Sequence, residues 1–337
     1  MKIISCAGYY RTGSSAVTDL LSEFSNCGSI GNYEFRFIHD PDGIRDLEYN
    51  IIENNNRQNT SNAIKRYIRR AKMLNGGVLR KGYSRYLGNS FKKCTIEYIN
   101  DITELKSEAW WHFDQQERGV LFNFIDLVFS NIGQLLIPTS RWSLLKLIRE
   151  KAYYSAIDKD SFYRHTKKYV YAVVNALNKE GHDYVMIDQF LPPSNINQYL
   201  NYFEDNIKVI IVERDPRDIF ILENEKYKWG NIPFKDVADF CKWYEVTRKH
   251  RDSEEWDTNK VFFIYFEDLI YKYEETKSRL ADFVGIPLEF HTSPKTKFIP
   301  EKSILGTNLK LKYPQYREEI AIIERKLERY LYSFPEK

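Results

Sequence analysis

Small and polar residues near the start of the chain have the types and spacing of an anion-binding loop. The segment 8–15 reads GYYRTGSS and lies between an apolar run at residues 3–7 and a helical pattern that starts near Ala16. In a strand–loop–helix arrangement, unpaired backbone N–H groups and the helix dipole point at a bound anion. Further donors come from the side chains of Arg11, Thr12, Ser14 and Ser15. We predict a phosphate or sulfate site here, although a capped strand–helix turn of any α/β protein has a similar pattern.

This loop differs at one position from the loop that binds nucleoside triphosphates. Gly8 and Gly13 have the spacing of G-x-x-x-x-G-K-[ST], and Ser15 stands at the metal-binding hydroxyl. Ser14, however, occupies the lysine position. A triphosphate presents adjacent negative charges that the lysine and Mg²⁺ normally meet. The loop therefore predicts a ligand with less charge at its reactive end.

A second pair of basic residues follows an apolar run in the second half of the chain. Residues 208–212 read KVIIV, which is typical of a parallel strand buried on both faces. Arg214 and Arg217 follow directly, and Pro216 suits the first turn of the next helix. Two anion sites at the ends of neighbouring strands predict a nucleotide that carries phosphate at two places.

Short apolar strands alternate with helical patterns at both ends of the chain, and a long helical stretch separates them. The pattern predicts an α/β fold with a three-layer parallel β-sheet flanked by helices, a P-loop-like architecture of the nucleoside-triphosphate-hydrolase type, and a helical insert. We expect one domain over residues 1–337. Residues 50–180 would form the basic and helical insert, which is the region expected to bind the acceptor, and residues 300–337 a C-terminal closing loop and helix.

Composition limits the classes of partner and compartment. The net charge of +3 over 337 residues is too small to indicate nucleic acid as a partner of the whole chain. The four cysteines form no C-x-x-C pair, which argues against a zinc site and a disulfide framework. No signal peptide is recognised, and no apolar stretch is expected to approach the roughly 20 residues that span a bilayer. We expect a soluble, cytoplasmic protein without a transmembrane segment.

Residues 57–93 are the most skewed part of the chain, with eleven basic residues and no acidic one. Three interpretations stay open for this window. The first is a solvated helix face, the second is a patch that binds nucleic acid or a membrane, and the third is a surface that receives an acidic acceptor molecule.

Three segments resemble the sulfotransferases that use 3′-phosphoadenosine 5′-phosphosulfate (PAPS). They are YRTGSS at residues 10–15, VIIVERDPRD at 209–218 and IYFEDL at 264–269, and the likeness covers roughly residues 1–40 and 183–310. The resemblance implies that the 5′-phosphosulfate is held by backbone N–H groups of residues 12–15, which include Thr12 and Gly13. The hydroxyls of Ser14 and Ser15 would also bind it. The resemblance also implies that Arg11 neutralises the departing phosphate, and that Arg214, helped by Arg217, binds the 3′-phosphate. The family needs no metal and releases 3′-phosphoadenosine 5′-phosphate (PAP).

The chain departs from the cytosolic members of that family at two places. A serine that completes their 3′-phosphate site is Leu222 here. The contact is expected instead from Ser303 or Asn308 in the closing loop. Their K-T-H-L-P motif corresponds to residues 188–192, so that Asp188 and Phe190 replace its lysine and histidine.

Another residue must therefore act as the base. In members that act on glycans and protein tyrosines, a glutamate after the second strand takes the proton of the acceptor, and Glu34 matches its placement. A carboxylate does this when burial raises its pKa. Asp188 is the second candidate and His39 the third. Contacts to the acceptor are expected from Arg36, His39, Arg80, Lys81 and Arg85.

The resemblance implies in-line transfer of a sulfuryl group from PAPS to a hydroxyl. The acceptor is expected to be an acidic glycan, a glycolipid headgroup or another anionic molecule. Two alternatives stay open: a nucleoside or sugar kinase with an aberrant phosphate loop, and a non-catalytic PAP- or glycan-binding protein on the same scaffold.

Overall fold

The computed structural model describes residues 1–77, 82–139 and 142–335. The chain divides into two compact units. The first comprises Met1–Arg36 with Val174–Lys337, and the second comprises Phe37–Val173. The second unit overlaps the insert predicted for residues 50–180, whose role in binding an acceptor stays a prediction.

Seven strands are described. They are β1 (Lys2–Gly8), β2 (Cys27–Ser29), β3 (Leu105–Glu108), β4 (Lys151–Tyr154), β5 (Tyr184–Asp188), β6 (Ile207–Glu213) and β7 (Val261–Tyr265). In the first unit, five of them form a parallel sheet in the order β2-β5-β1-β6-β7. Cys6 of β1 is in register with Asp188 of β5 and with Ile210 of β6. The carboxyl ends of these three strands therefore meet at one edge, where α/β sheets bind ligands.

Helices flank this sheet, as the predicted α/β class requires. The helices of the first unit are Ser14–Leu21, Ile196–Leu200, Pro216–Leu222, Val237–Asp252, Asp268–Tyr271, Tyr273–Val284, Pro300–Ser303 and Arg317–Lys326. The central strands are buried on both faces because successive side chains point to opposite sides. Val209 to Val212, for example, have no exposed surface. The prediction of a parallel sheet with flanking helices is confirmed.

The second unit is mostly helical. Its helices are Ile44–Glu48, Arg57–Asn75, Ser84–Leu87, Ser90–Asp101, His112–Gln116, Gly119–Leu136, Leu144–Leu147 and Lys159–Leu177, the last of which ends in the first unit. Strands β3 and β4 form an antiparallel pair that the sequence pattern did not reveal. Aromatic side chains fill the core: the rings of Tyr98 and Tyr169 stack at 4.5 Å. Tyr67, Tyr83 and Phe91, which lie between basic residues of the window 57–93, are also buried.

One helix of the second unit is unusually apolar on its outside. Gly119–Leu136 has 18 residues and a mean hydropathy of 1.4, and only 11% of it is buried. By length and composition it is the one described helix that could cross a membrane. The sequence analysis expected no apolar stretch to approach the roughly 20 residues that span a bilayer, and this helix of 18 residues does approach that length.

Candidate active site

The predicted anion loop lies between β1 and helix Ser14–Leu21. Thr12 is buried, and both its backbone N–H and its Oγ1 donate to the carbonyl of Tyr9, at 3.2 and 3.0 Å. Gly13 is the residue before the helix, with a φ of 95°, and no side chain caps the helix there. Uncapped N–H groups at a helix start are the donors that an anion needs. The local geometry is that of an anion site.

Gly13 is required at its position for two reasons. Its positive φ is costly for other residues, and a Cβ there would lie 2.5 Å from Cδ2 of Phe266. Gly31 also has a positive φ, of 73°, but a Cβ added there would have no neighbouring atom within 4 Å. We expect Gly13→Ala to lower the free energy of unfolding by about 1–3 kcal/mol. In denaturant titrations the loss should exceed that of Gly31→Ala, and equal losses would show that the Phe266 contact is unimportant.

A cavity of about 470 Å³ opens next to the loop in the first unit. It is lined by Gly13, Ser15, Ala16, Asp19, Arg214, Phe266, Thr296, Lys297, Phe298, Ile299, Lys302 and Ser303. The structure therefore brings three predicted elements together: the loop, Arg214 and Ser303. Lys297 and Lys302 were not predicted. The only sequence signal for them is a lysine-rich stretch after the last strand, which has no regular pattern.

Arg214 lies directly after β6 and is 8% exposed. Its Nη2 donates to the carbonyl of Gly306 at 2.6 Å, and its guanidinium lies 4.5 Å from the ring centroid of Phe266. Its Nε is buried without a hydrogen-bond partner among the described residues. Buried donors are rarely left unpaired. An arginine at the wall of a cavity with a spare donor fits a phosphate oxygen.

Two buried carboxyl groups lie near Arg214 and have raised pKa values. Burial raises the pKa of Glu267 to about 8, against the lowering effect of Arg214. Burial likewise raises the pKa of Asp218 to about 6. Asp218 accepts hydrogen bonds from the backbone N–H groups of Asn308 and Leu309, at 2.9 and 2.8 Å. The closing loop is thus anchored to the helix that follows Arg214.

Arg217 and Asn308 are placed differently from Arg214. Among the described residues, neither lines the cavity. Arg217 donates to Asp215, to Glu324 at 2.7 Å and to the carbonyl of Tyr332 at 2.9 Å, so that its donors are used inside the protein. Asn308 uses its backbone N–H on Asp218. Their roles in binding the 3′-phosphate stay predictions.

Arg11 is held by residues that the sequence did not single out. Its Nε donates to Oε1 of the buried Glu223 at 2.6 Å. Its guanidinium lies 3.7 Å from the ring centroid of Tyr227 and 4.7 Å from that of Trp229. The Nη atoms, which have no hydrogen bond to a described residue, are the donors left for a ligand. Glu223 follows Leu222, the position of the missing serine, and only the fold pairs it with Arg11.

Asp188 ends β5 beside the loop. Burial raises the pKa of its carboxyl to about 7, and the charge of Glu34 adds to the rise although a hydrogen bond from Ser14 opposes it. Its Oδ1 is buried and accepts no hydrogen bond from a described residue. The neighbouring Gln189 donates to the carbonyl of Gly8 at 3.2 Å and to Oγ of Ser14 at 3.1 Å. A carboxyl with this pKa and a spare oxygen can exchange a proton with a hydroxyl near neutral pH.

Glu34 lies in a loop after β2, which ends at Ser29. Its side chain is 44% exposed and pairs with Arg36 at 3.1 Å. Between them, Phe35 is fully buried, and its N–H donates to the carbonyl of Asp188 at 3.4 Å. This contact holds Glu34 and Arg36 near Asp188.

The other predicted acceptor contacts do not belong to this unit. His39 and Arg85 lie in the second unit. Arg80 and Lys81 lie outside the described residues. The predictions for these four residues stay open.

Much of the basic window is neutralised within the second unit by acids from outside the window. Arg66 pairs with Asp42 at 2.7 Å, Arg69 pairs with Glu117 at 2.7 Å, and Arg70 pairs with Asp40. Lys65 contacts Asp114 and Glu150. Among the described residues of the window, Arg57, Lys72, Arg85, Lys92 and Lys93 make no ion pair with a described residue.

Comparison with known proteins identifies the family. A family model described as a sulfotransferase domain matches residues 4–304. The chain belongs to the sulfotransferase family. A comparison with curated proteins found no match. This sulfotransferase takes its sulfuryl group from PAPS, and membership in the family removes support for the kinase alternative.

Three solved structures are similar to this sulfotransferase at low identity. STF1 from Mycobacterium tuberculosis H37Rv is 10% identical, with 91% of this chain and 76% of that chain covered and a TM-score of 0.33. STF9 from Mycobacterium avium is 13% identical, with 95% and 76% covered and a TM-score of 0.35. Retinol dehydratase in complex with androsterone and inactive cofactor PAP is 13% identical, with 99% and 82% covered and a TM-score of 0.35. The family assignment rests on the family model.

The residues at the cavity fit the PAPS donor. The loop offers uncapped N–H groups for one anionic end, and Arg214 offers a spare buried donor for the other. Over residues 1–77, 82–139 and 142–335, no cluster of three or more His, Cys, Asp or Glu side chains that could hold a metal is found.

Proposed function

We propose that this sulfotransferase sulfates a hydroxyl of an anionic acceptor, such as an acidic glycan or a glycolipid headgroup, with a carboxylate as the base. The proposed mechanism rests on the surroundings of Asp188. Its carboxyl is buried beside Ser14 of the donor loop, its pKa is raised to about 7 and its Oδ1 is unpaired among the described residues. A hydroxyl that reaches this oxygen would meet a base with a pKa close to neutral pH.

PAPS, when bound, supplies the sulfuryl group. Asp188 would accept the proton of the acceptor hydroxyl as that hydroxyl takes over the sulfuryl group, and PAP would be the leaving group. The N–H groups of the loop and the Nη atoms of Arg11 offset the negative charge that develops on the phosphate. Glu223 holds Arg11 through Nε and leaves those Nη donors available.

Burial favours Asp188 over Glu34 as the base. Glu34 is 44% exposed and its charge is compensated by Arg36. Glu34 therefore lacks the burial that the base of this proposal requires. Glu34 instead acts on Asp188, whose pKa its charge raises. His39, the third candidate, lies in the second unit.

The anionic character of the acceptor is supported by charge in the second unit. Arg85, Lys92 and Lys93 make no ion pair with a described residue, and such unpaired cations attract an acidic molecule over a distance. These cations favour acidic acceptors as a class and do not distinguish one acidic acceptor from another.

Transfer of radioactive sulfate from PAPS to paired neutral and uronic-acid-containing oligosaccharides tests the acceptor class. We expect the acidic member of each pair to have the lower KM. Combined Arg85→Gln, Lys92→Gln and Lys93→Gln changes should raise that KM roughly ten-fold at low salt and leave the KM for neutral acceptors unchanged. Lys179→Gln, which removes an exposed charge from the first unit, is the control. Equal use of neutral and acidic acceptors would contradict the proposal.

A further inference from the structure

Helix Gly119–Leu136 exposes many large apolar side chains that sulfate transfer does not use. Val120 is 86% exposed and Leu135 is 83% exposed. Twelve large apolar residues of this region are exposed: Val120, Leu121, Phe124, Ile125, Leu127, Val128, Ile132, Leu135, Leu136, Ile137, Leu147 and Ile148. We call them the apolar face. An exposed patch of this extent marks a site of interaction with a protein or a membrane.

Only a narrow stripe of this helix is covered. Asp126, its single charged residue, accepts hydrogen bonds from Gln115 at 2.6 Å and from the backbone N–H of Leu144 at 2.5 Å. Two turns further along, Gly133 allows Trp142 to approach so closely that a Cβ would lie 2.1 Å from its ring. The charge of the helix is thus turned inward, and the opposite side is left apolar.

The segments that flank helix Gly119–Leu136 argue against a membrane-spanning arrangement. Its 18 residues have a length of about 27 Å. However, its covered stripe is tied to Gln115 and to Leu144, so spanning would pull the polar segments around them into hydrocarbon. Lys146, two residues after Leu144, is exposed. An apolar helix face beside basic residues is typical of a helix that lies in the interfacial plane.

Positively charged side chains lie beside the apolar face. Lys146 and Arg149 are exposed on either side of Leu147 and Ile148, and neither makes an ion pair with a described residue. A second copy of the chain, docked by the same face around a two-fold axis, would bring these positive charges towards one another. Anionic lipid headgroups would instead be attracted to them.

We propose that the second unit docks on an anionic lipid bilayer through the apolar face, with Lys146 and Arg149 contacting headgroups. The proposal does not depend on the identity of the acceptor, and it concerns the place of the enzyme and not its chemistry. An enzyme held in this way would act at the lipid surface.

Sedimentation of the full chain with vesicles tests the proposal. We expect binding to vesicles of phosphatidylcholine with phosphatidylglycerol, and at least about ten-fold weaker binding after combined Leu121→Gln, Phe124→Gln and Leu135→Gln changes. A matched control removes three exposed apolar side chains elsewhere, by Ile96→Gln, Leu105→Gln and Val246→Gln, and should bind like the unaltered chain. The affinity for PAP, measured by calorimetry, should be equal in the unaltered chain, the apolar-face variant and the control variant. Equal affinities would show that all three proteins are folded.

The charge component is measured separately. Combined Lys146→Gln and Arg149→Gln changes should weaken binding to anionic vesicles by roughly five-fold per residue and binding to pure phosphatidylcholine vesicles hardly at all. Absence of vesicle binding, or equal binding by the apolar-face variant, would overturn the proposal. Concentration-dependent dimers in analytical ultracentrifugation that the apolar-face variant loses, without vesicle binding, would assign the face to a second copy and also overturn it.

Discussion

Replacing Asp188 by asparagine is expected to lower the rate of sulfate transfer by about 10²–10⁴-fold. The amide keeps the shape of the side chain but cannot accept a proton, so PAP affinity should stay nearly unchanged. In the unaltered enzyme, the pKa of Asp188 is raised to about 7 by burial and by Glu34. Because the base must be deprotonated, kcat/KM should rise with pH through about 7 and level off above it. Initial rates with saturating PAPS across this pH range measure both effects.

Glu34→Gln is the matched variant. Loss of its charge removes one cause of the raised pKa of Asp188, so the rising limb of the pH profile should shift to lower pH while activity is retained. The opposite pattern, an inactive Glu34→Gln enzyme and an active Asp188→Asn enzyme, would make Glu34 the base. A profile that does not shift would show that the two carboxyl groups do not interact.

Arg214→Ala is expected to weaken PAP binding by roughly ten- to hundred-fold, the usual effect of losing a charge-assisted hydrogen bond. Arg214 is the buried arginine at the cavity wall with an unpaired Nε. Isothermal titration calorimetry with PAP gives the affinity. Arg214→Lys should recover only part of it, because a lysine lacks the planar fork of donors.

Arg279→Ala serves as the charge control, since Arg279 is half-exposed in the first unit and its ion pair is with Glu275, at 3.7 Å. Arg214 also bonds to the carbonyl of Gly306, so the unfolding free energy of each variant should be measured in parallel. Unchanged PAP affinity in a folded Arg214→Ala protein would refute the assigned nucleotide site.

Local patterns in the sequence were sufficient to predict the parallel sheet and the loop before helix Ser14–Leu21. The run at residues 208–212 predicts a buried strand, and β6 extends over Ile207–Glu213. Pro216 begins the next helix as its fixed φ favours. The loop before Ser14 was predicted because glycine, hydroxyl side chains and a helix start are neighbours along the chain. Such features depend on residues a few positions apart, so periodicity and turn chemistry reveal them.

The tertiary structure alone determined which charges remain available. Arg11 is paired with Glu223, more than two hundred residues away, and Arg217 is enclosed by Asp215 and Glu324. In the basic window, acids from other segments neutralise Arg66, Arg69 and Arg70. A count of charges along the chain cannot show these pairs, because an ion pair depends on distance in space and on burial.

The burial of Asp188 and the exposure of helix Gly119–Leu136 also depend on parts of the chain that are distant in sequence. The sequence made Asp188 the second candidate base, but only the packing around it raises its pKa to about 7. Only the fold shows that helix Gly119–Leu136 is one continuous apolar helix and that most of it is not covered by a described residue. Desolvation is a property of the surroundings of a side chain, and those surroundings are assembled from distant parts of the chain.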